Sequence, residues 1–505
     1  MTELRIVVGS GPTSIAVTSG LLARGFDVVM LDVGEQLDEA TANIVARMGA
    51  QEPEQWSKTD KAAIQRIDYN TDLSFSPKRA FGSPYAYFND PRIVAPAGMR
   101  LYGSLAFGGL STVWGCALLK AGAGDLANWP EPVSKGVAEA YRKIADLVQK
   151  STGADILAAG THLKISTAAQ RLLERFRALG IGPEVADLYP TPLAISTACK
   201  ACNACMYGCV YGFTYDSRTT IRNLFNGKPG FRYISGLKVE RYLETVNGVE
   251  VHAVGAGGRT EIFRARQLFL AAGMMSTLRI VWNSSAQVSR HLQIRDSSSF
   301  LIPGFILSAQ NLRGGKHHGL SHLSIDLKLP PFDERPAHVQ LYFNNPAVVD
   351  GLTARLGRLA VHPVRGLIKF AGRFLVGGQG YLHSDFCNRL IFRYDDTGAI
   401  RVAVEHNAAN KMAIDSALSQ FVAQMRALGA IMIKPAASVI AYGGSKTAGA
   451  LPHAAAPDSM ATDLLGRPFG AQNVYLVDGT VLPSIPARNH TLTMMANALR
   501  IGESA

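Results

Sequence analysis

Leu4, Ile6, Val7 and Val8 form a short apolar run that ends at once in Gly9-Ser10-Gly11-Pro12-Thr13-Ser14. A run of this length stopped by glycine predicts a buried strand entering a tight turn. Residues 13–24 continue with helical character, and Phe26-Asp27-Val28-Val29-Met30-Leu31-Asp32 predicts a second strand. Strand, helix and strand in this order make a βαβ unit. Much later, Arg266-Gln267-Leu268-Phe269-Leu270-Ala271-Ala272-Gly273 predicts a strand ending in small residues, and residues 473–477 predict another that runs into Asp478-Gly479. Residues 494–501 predict a terminal helix. Between about 285 and 440 the pattern differs: residues 300–307, 320–327, 338–343 and 399–404 read as strands and 408–428 as a helix. Strands followed by a helix fit an α+β unit. Three regions are therefore expected: 1–285, 286–440 and a return over 441–505. No internal repeat or low-complexity tract is present.

Composition narrows the class. With 47% hydrophobic and 18% charged residues in 505, the chain is neither disordered nor collagen-like, and its length suits two to four domains. The charge is +12, from 51 Lys and Arg against 39 Asp and Glu. A basic surplus beside so few charges suggests an anionic or membrane-surface partner. Arg355, Arg358, His362, Arg365, Lys369 and Arg373 recur every three or four residues among Leu352, Leu356, Leu359, Leu367, Phe370, Phe374 and Leu375. That spacing predicts a basic amphipathic helix interrupted at Pro363, which fits either a peripheral membrane contact or a solvated face over a core. Nucleic acid is not expected, because no aromatic-interleaved basic groove accompanies the charge. No run of eighteen apolar residues exists to span a bilayer, and the first strand leads straight into its turn without a signal peptide. A cytoplasmic protein, peripheral to the inner face of the membrane if it touches one, with reduced cysteines, is the expectation.

The first turn carries chemistry. Gly9 permits the tight turn, Gly11 lets backbone approach a pyrophosphate, and the helix that opens at Pro12 points free N–H groups and a positive dipole end at it. Asp32, 23 residues after Gly9, ends the second strand where a carboxylate can accept from ribose hydroxyls. Ser14 stands where glycine or alanine is usual, so helix and strand should pack slightly further apart. A dinucleotide is expected, FAD or NAD being left open by this motif alone.

Three further segments bear on that choice. Gly108-Gly109-Leu110-Ser111-Thr112-Val113-Trp114-Gly115 is a glycine-rich loop followed by Asn128-Trp129-Pro130; the strand ending Ala272-Gly273 has Thr277 just beyond; and Asn473-Val474-Tyr475-Leu476-Val477-Asp478-Gly479-Thr480 precedes Asn489-His490-Thr491-Leu492-Thr493. In this order, from residue 4 to residue 501, they resemble the glucose-methanol-choline (GMC) family of FAD-dependent oxidoreductases. The resemblance implies FAD, hydride transfer from a substrate C–OH to flavin N5, and a Rossmann-like FAD-binding domain interleaved with an antiparallel-sheet α+β substrate domain. It places Gly108, Gly109, Ser111, Thr112, Trp114, Gly115, Ala272, Asp478 and Gly479 beside the cofactor with Gly9, Gly11, Pro12, Ser14 and Asp32.

Alcohol oxidation needs a base at the hydroxyl and a group that holds its oxygen. In the family a His supplies the first and a His or Asn the second; Asn489 matches the second position. For the first, gapless alignment on Gly449 and Pro452 puts Lys446 where the His should be and His453 where a Met should be. A small gap brings His453 into the base position instead, and His490 is a third candidate. Lys446 would act neutral only if desolvation lowered its pKa considerably.

Cys199, Cys202, Cys205 and Cys209 follow the C-x2-C-x2-C-x3-C spacing of bacterial ferredoxin runs, with Val210 replacing the usual proline. A [4Fe–4S] or [3Fe–4S] cluster is expected, with Cys116 or Cys387 competing as fourth ligand; Zn²⁺ and a metal-free or disulfide-bonded segment are the alternatives. A cluster would give one-electron exit to a protein or quinone acceptor. The combined expectation is a dehydrogenase acting on an alcohol, a sugar or glycan hydroxyl by family analogy. An O₂-using oxidase and a non-catalytic flavin- or lipid-binding subunit remain as alternatives.

Overall fold

The structure is a computed structural model that describes residues 4–65, 78–99, 101–157, 163–307, 315–330, 332, 335–345, 370–443 and 446–505. Most of the basic amphipathic stretch, residues 352–369, lies outside the described residues. Its end does not: residues 370–372 are helical, and Leu375 opens a strand.

Five parallel strands form the first sheet, in the order Val474–Leu476, Gln267–Leu270, Arg5–Val8, Val28–Leu31 and Phe231–Ile234. The central strands are buried along their whole length, as parallel strands covered on both faces must be. The helix Pro12–Ala23 is apolar around most of its circumference and packs against the C-terminal helix Thr491–Ser504. Glycines make that approach close. A Cβ on Gly502 would lie 2.6 Å from the Val17 carbonyl oxygen, and one on Gly20 would lie 3.0 Å from backbone of the last helix.

The second sheet is antiparallel, with seven strands. Ala430–Met432, Ser299–Ile306, Leu375–Tyr381, Ala337–Phe343, Leu323–Leu327 and Ala186–Pro190 follow one another, and Ser438–Ile440 also pairs with Ser299–Ile306. Alternation sorts its two faces. Phe300, Ile302, Leu323, Ile325, Val339 and Leu341 point to one side, where helices Ala409–Ala427 and Thr167–Leu179 complete an apolar core. Ser299, Asp326, His338, Gln340, Tyr342, Gln379 and Tyr381 occupy the alternate positions.

This is the α/β fold expected, a Rossmann-like unit joined to an antiparallel sheet. Two details differ from the expected elements. Ala186–Pro190 reaches the antiparallel sheet from well inside the first half of the chain. Residues 399–404, expected among the sheet's strands, form Ile400–Glu405 instead in a separate sheet with Arg389–Tyr394, His291–Asp296, Thr447–Ala448 and Ile93–Val94. Among the described residues no helix is long and apolar enough to cross a membrane.

Candidate functional site

A cavity of about 1020 Å³ is walled by the glycine turns of the parallel sheet on one side and by the polar face of the antiparallel sheet on the other. At the first side Gly9 adopts φ +98°, and a Cβ there would sit 2.6 Å from the Ala271 carbonyl oxygen. Gly11 caps the helix opening at Pro12 with no side-chain hydrogen bond, leaving first-turn N–H groups for a ligand, and a Cβ on it would meet nothing within 4 Å. Asp32 accepts from Tyr233 Oη at 3.1 Å and from Ser10 Oγ, while Ser10 Oγ also accepts from the Gly108 N–H at 2.8 Å. Burial pushes the Asp32 carboxyl up to about 6 against these hydrogen bonds. Ser14 is buried behind the turn, its hydroxyl 3.4 Å from the Ala271 oxygen.

The second glycine loop touches the first: a Cβ on Gly109 would be 3.4 Å from Gly11 Cα. Gly108 takes a left-handed conformation at φ +90°. Ser111 donates to the Gly108 oxygen at 2.6 Å, Thr112 to the Gly109 oxygen at 3.0 Å, and Trp114 Nε1 to the Tyr215 oxygen at 2.8 Å. Gly109, Ser111, Trp114 and Gly115 line the cavity, whereas Ser14, Gly108 and Thr112 hold the loops from behind. Ala272, Asp478 and Gly479 complete this wall. The Asp478 carboxylate is engaged by Thr277 Oγ1 at 2.6 Å and the Thr480 N–H at 2.9 Å, so its role is to shape the turn. An uncapped helix end, a cradle without Cβ atoms and a ribose-ready carboxylate fit the dinucleotide part of FAD.

At the other end Lys446, Asn489 and His490 come together in the wall. Lys446 Nζ donates to the carbonyl oxygens of Ala487 at 2.7 Å and Arg488 at 3.2 Å, and lies 3.7 Å from the Tyr381 ring centroid. Burial lowers its pKa to about 7, partly opposed by the charge of Asp125. Asn489 Oδ1 and His490 Nδ1 are buried with no hydrogen-bond partner among the described residues. Burial and the neighbouring Lys446 push His490 down to about 3, which makes it a neutral imidazole.

His453 is not brought to this place. Its Nδ1 is 2.8 Å from the Asp463 oxygen and its Nε2 is 3.0 Å from Asn497 Nδ2, so both ring nitrogens tie a turn to the last helix, away from the cavity wall.

The cysteine run borders the cavity through Met206 and Tyr207. Three of its sulfurs accept backbone N–H groups: Cys199 from Ala201 at 3.4 Å, Cys205 from Gly319 at 3.4 Å and Cys209 from Phe213 at 3.3 Å. Ala201 and Asn203 adopt left-handed φ values of 51° and 59°. Even so, among the described residues no three His, Cys, Asp or Glu side chains converge as a metal ion requires. Cys387 lies instead in the core of the antiparallel sheet, its sulfur accepting from the Ser298 N–H at 3.1 Å; Cys116 packs in the same core as Cys205.

Several residues of the site carried no signal in the sequence. Ser10 sits inside the glycine motif and could have been found there, but strand pairing alone brings Tyr233 to Asp32 and Gln340, Gln379, Tyr342 and Tyr381 to the cavity. Behind the wall, Arg488 Nη2 pairs with Asp326 Oδ2 at 2.6 Å, Tyr189 Oη adds 2.9 Å to the same oxygen, and His338 Nδ1 lies 2.7 Å from Asp326 Oδ1.

Residues 7–296 match the family model for GMC oxidoreductase. Over 48 residues the chain is 44% identical to an uncharacterised GMC-type oxidoreductase, y4nJ, of Sinorhizobium fredii (strain NBRC 101917 / NGR234); that match spans only 10% of this chain and 10% of the relative. The fold is similar to the crystal structure of pyridoxine 4-oxidase from Mesorbium loti, with a TM-score of 0.61 and 13% identity over 99% of this chain and 98% of that one.

Proposed function

Because the chain belongs to the GMC oxidoreductase family, we propose that it holds FAD on the glycine turns and oxidises an alcohol at the end of the cavity where Lys446, Asn489 and His490 meet. FAD, which the family binds, supplies the acceptor for the hydride leaving the carbinol carbon. The chain supplies the rest. Neutral Lys446 takes the hydroxyl proton at Nζ, and the Asn489 carboxamide donates to the oxygen as negative charge develops on it. His490, neutral, offers its unpartnered Nδ1 to the same space. The Tyr381 ring and the two carbonyls hold the amine in place.

One observation carries this reading: a buried amine able to lose its charge near neutral pH stands in the cavity wall next to Asn489, whose Oδ1 is buried without a partner among the described residues. Anaerobic mixing with a panel of primary and secondary alcohols and glycosides tests it. Flavin absorbance should bleach in the native protein and bleach at least about a hundredfold more slowly in Lys446→Met, the usual scale of general-base loss. Equal rates in the two proteins would overturn the assignment.

A dehydrogenase that passes electrons to a protein or quinone acceptor, with a sugar or glycan hydroxyl as substrate, is the finer reading; an O₂-using oxidase is its rival. A [4Fe–4S] or [3Fe–4S] cluster as the electron exit rests on the spacing of Cys199, Cys202, Cys205 and Cys209 and on the N–H···S bonds to Cys199, Cys205 and Cys209, and no step above runs through it. Iron and sulfide analysis of anaerobically purified protein decides: iron with broad absorbance that dithionite bleaches supports the cluster, and iron-free protein removes it. A cytoplasmic location with peripheral membrane contact rests on composition and on the basic stretch.

A further inference from the structure

The antiparallel sheet presents two carboxamides to the cavity side by side. Gln340 and Gln379 are directly opposed across the strands Ala337–Phe343 and Leu375–Tyr381, and both line the cavity. Opposed residues on one face of an antiparallel pair hold their Cβ atoms about 5 Å apart, so the two amides act on neighbouring points of whatever lies over them. Gln340 is only 4% exposed. The Tyr342 hydroxyl donates to its Oε1 at 3.4 Å, which turns its NH₂ group away from Tyr342. Among the described residues no partner is present for that NH₂ or for either end of the Gln379 amide. These amide groups face the cavity, where a bound molecule can pair with them.

What satisfies them must both donate and accept. A carboxamide offers two N–H donors and one carbonyl acceptor, while a hydroxyl gives one donor and accepts with its lone pairs. Two adjacent amides therefore match two adjacent hydroxyls. The flanking positions suit the carbon frame between them: Leu301 is opposed to Gln379 and lines the cavity, as do Tyr342 and Tyr381. Among the described residues the ionisable group nearest this part of the wall is Lys446, which lies against the Tyr381 ring; Asp326 and His338, on the same sheet face, are paired to each other and lie outside it.

Resting on the alcohol-oxidation reading above, we propose that Gln340 and Gln379 are specificity-determining residues that select an uncharged polyol, a sugar ring or cyclitol bearing a second hydroxyl beside the one oxidised. A single alcohol would leave at least one amide unmade, and a site built around hydrogen bonds rejects the analogue that lacks them.

Matched probes separate the two proposals. Anaerobic flavin reduction is measured with cyclohexanol against trans-1,2-cyclohexanediol, and with methyl glucopyranoside against its monodeoxy analogues, in the native holoenzyme and in Gln340→Met and Gln379→Met. Methionine keeps the length and removes the hydrogen bonds. The native protein should prefer the vicinal diol by about tenfold or more in kcat/KM, and each substitution should reduce that ratio about tenfold, the loss expected for one buried hydrogen bond. FAD content reports whether the variants fold. Equal use of mono-ol and diol by the native protein, or an unchanged ratio in both variants, overturns the specificity assignment and leaves alcohol oxidation standing. Failure of every alcohol and polyol to reduce the native flavin overturns both.

Discussion

Lys446 makes the strongest claim at the scale of a single residue, because its chemistry depends on losing a charge. An ammonium cannot accept a proton, and burial favours the neutral amine, bringing its pKa from 10.5 down to about 7. The rate of flavin reduction should therefore rise tenfold per pH unit below about 7 and level off above it, as measured by stopped-flow kcat/KM across pH 5.5 to 9 in a buffer of constant ionic strength. Lys446→Arg keeps a cation that does not deprotonate in this range, so it should be as slow as Lys446→Met at every pH. The same shift has a sign in stability. The unfolded chain holds this proton up to about 10.5 and the folded one releases it near 7, so the charge penalty is greatest at low pH and fades as pH rises toward 10.5. Lys446→Met should accordingly raise the urea midpoint more at pH 6 than at pH 9.5. The family pattern places Asn489 by its spacing to the last helix, and Lys446 by gapless alignment on Gly449 and Pro452, as one of three candidates with His453 and His490. His453 was a plausible base by nearness in sequence, yet its hydrogen bonds to Asp463 and Asn497 turn it into a brace.

At the scale of elements, the loop that carries Asn489 is tied to the antiparallel sheet by Arg488. The guanidinium reaches Asp326 on strand Leu323–Leu327, while the Arg488 and Ala487 carbonyls hold Lys446. Burial keeps His338 neutral, so Arg488 carries the charge that offsets Asp326. Burial alone would raise the Asp326 pKa, but His338 and Arg488 outweigh it and hold the carboxyl down at about 2. Its contribution to stability, roughly 2 kcal/mol from a displacement of this size, is present above about 3.8 and is lost as pH falls through about 2. Arg488→Met leaves a buried carboxylate without its cation, a loss of about 3–5 kcal/mol; the urea midpoint at pH 7 should drop sharply, whereas Arg488→Lys should recover part of it. None of this was legible beforehand, since Asp326 on a strand and Arg488 on a loop far along the chain are brought together only by the tertiary fold. The strand Leu375–Tyr381 shows why. Its sequence, LVGGQGY, has too little side chain to look like a strand, but a Cβ on Gly380 would sit 2.0 Å from Phe300 and one on Gly378 2.6 Å from Phe421. Its glycines are the room that two phenylalanines occupy, and that is a property of the packed core. By contrast, the turn from Gly9 to Gly11 was readable because close backbone approach demands glycine locally.

Over the whole molecule, the chain closes on itself where the proposed site lies. Its first long helix starts at the uncapped Gly11 turn, its last starts one residue after His490, and the two pack side by side through Gly20 and Gly502. The Gly11 turn and the loop of Asn489 and His490 are thus the ends of two helices in contact, and the distance between those helices sets how the two halves of the cavity meet. A side chain at Gly502 cannot be absorbed locally, because backbone of the partner helix, at Val17, already stands 2.6 Å from where its Cβ would be. Gly502→Val should force the pair apart, whereas Ser504→Val, on the same helix, adds similar bulk at a position that is exposed. The expected outcome is loss of FAD from Gly502→Val on gel filtration, together with a lower melting temperature, while Ser504→Val retains the native flavin-to-protein ratio. If Gly502→Val kept full flavin and bleached with substrate at the native rate, the helix contact would be mere packing, and the geometry of the cavity would have to be set by the sheets alone.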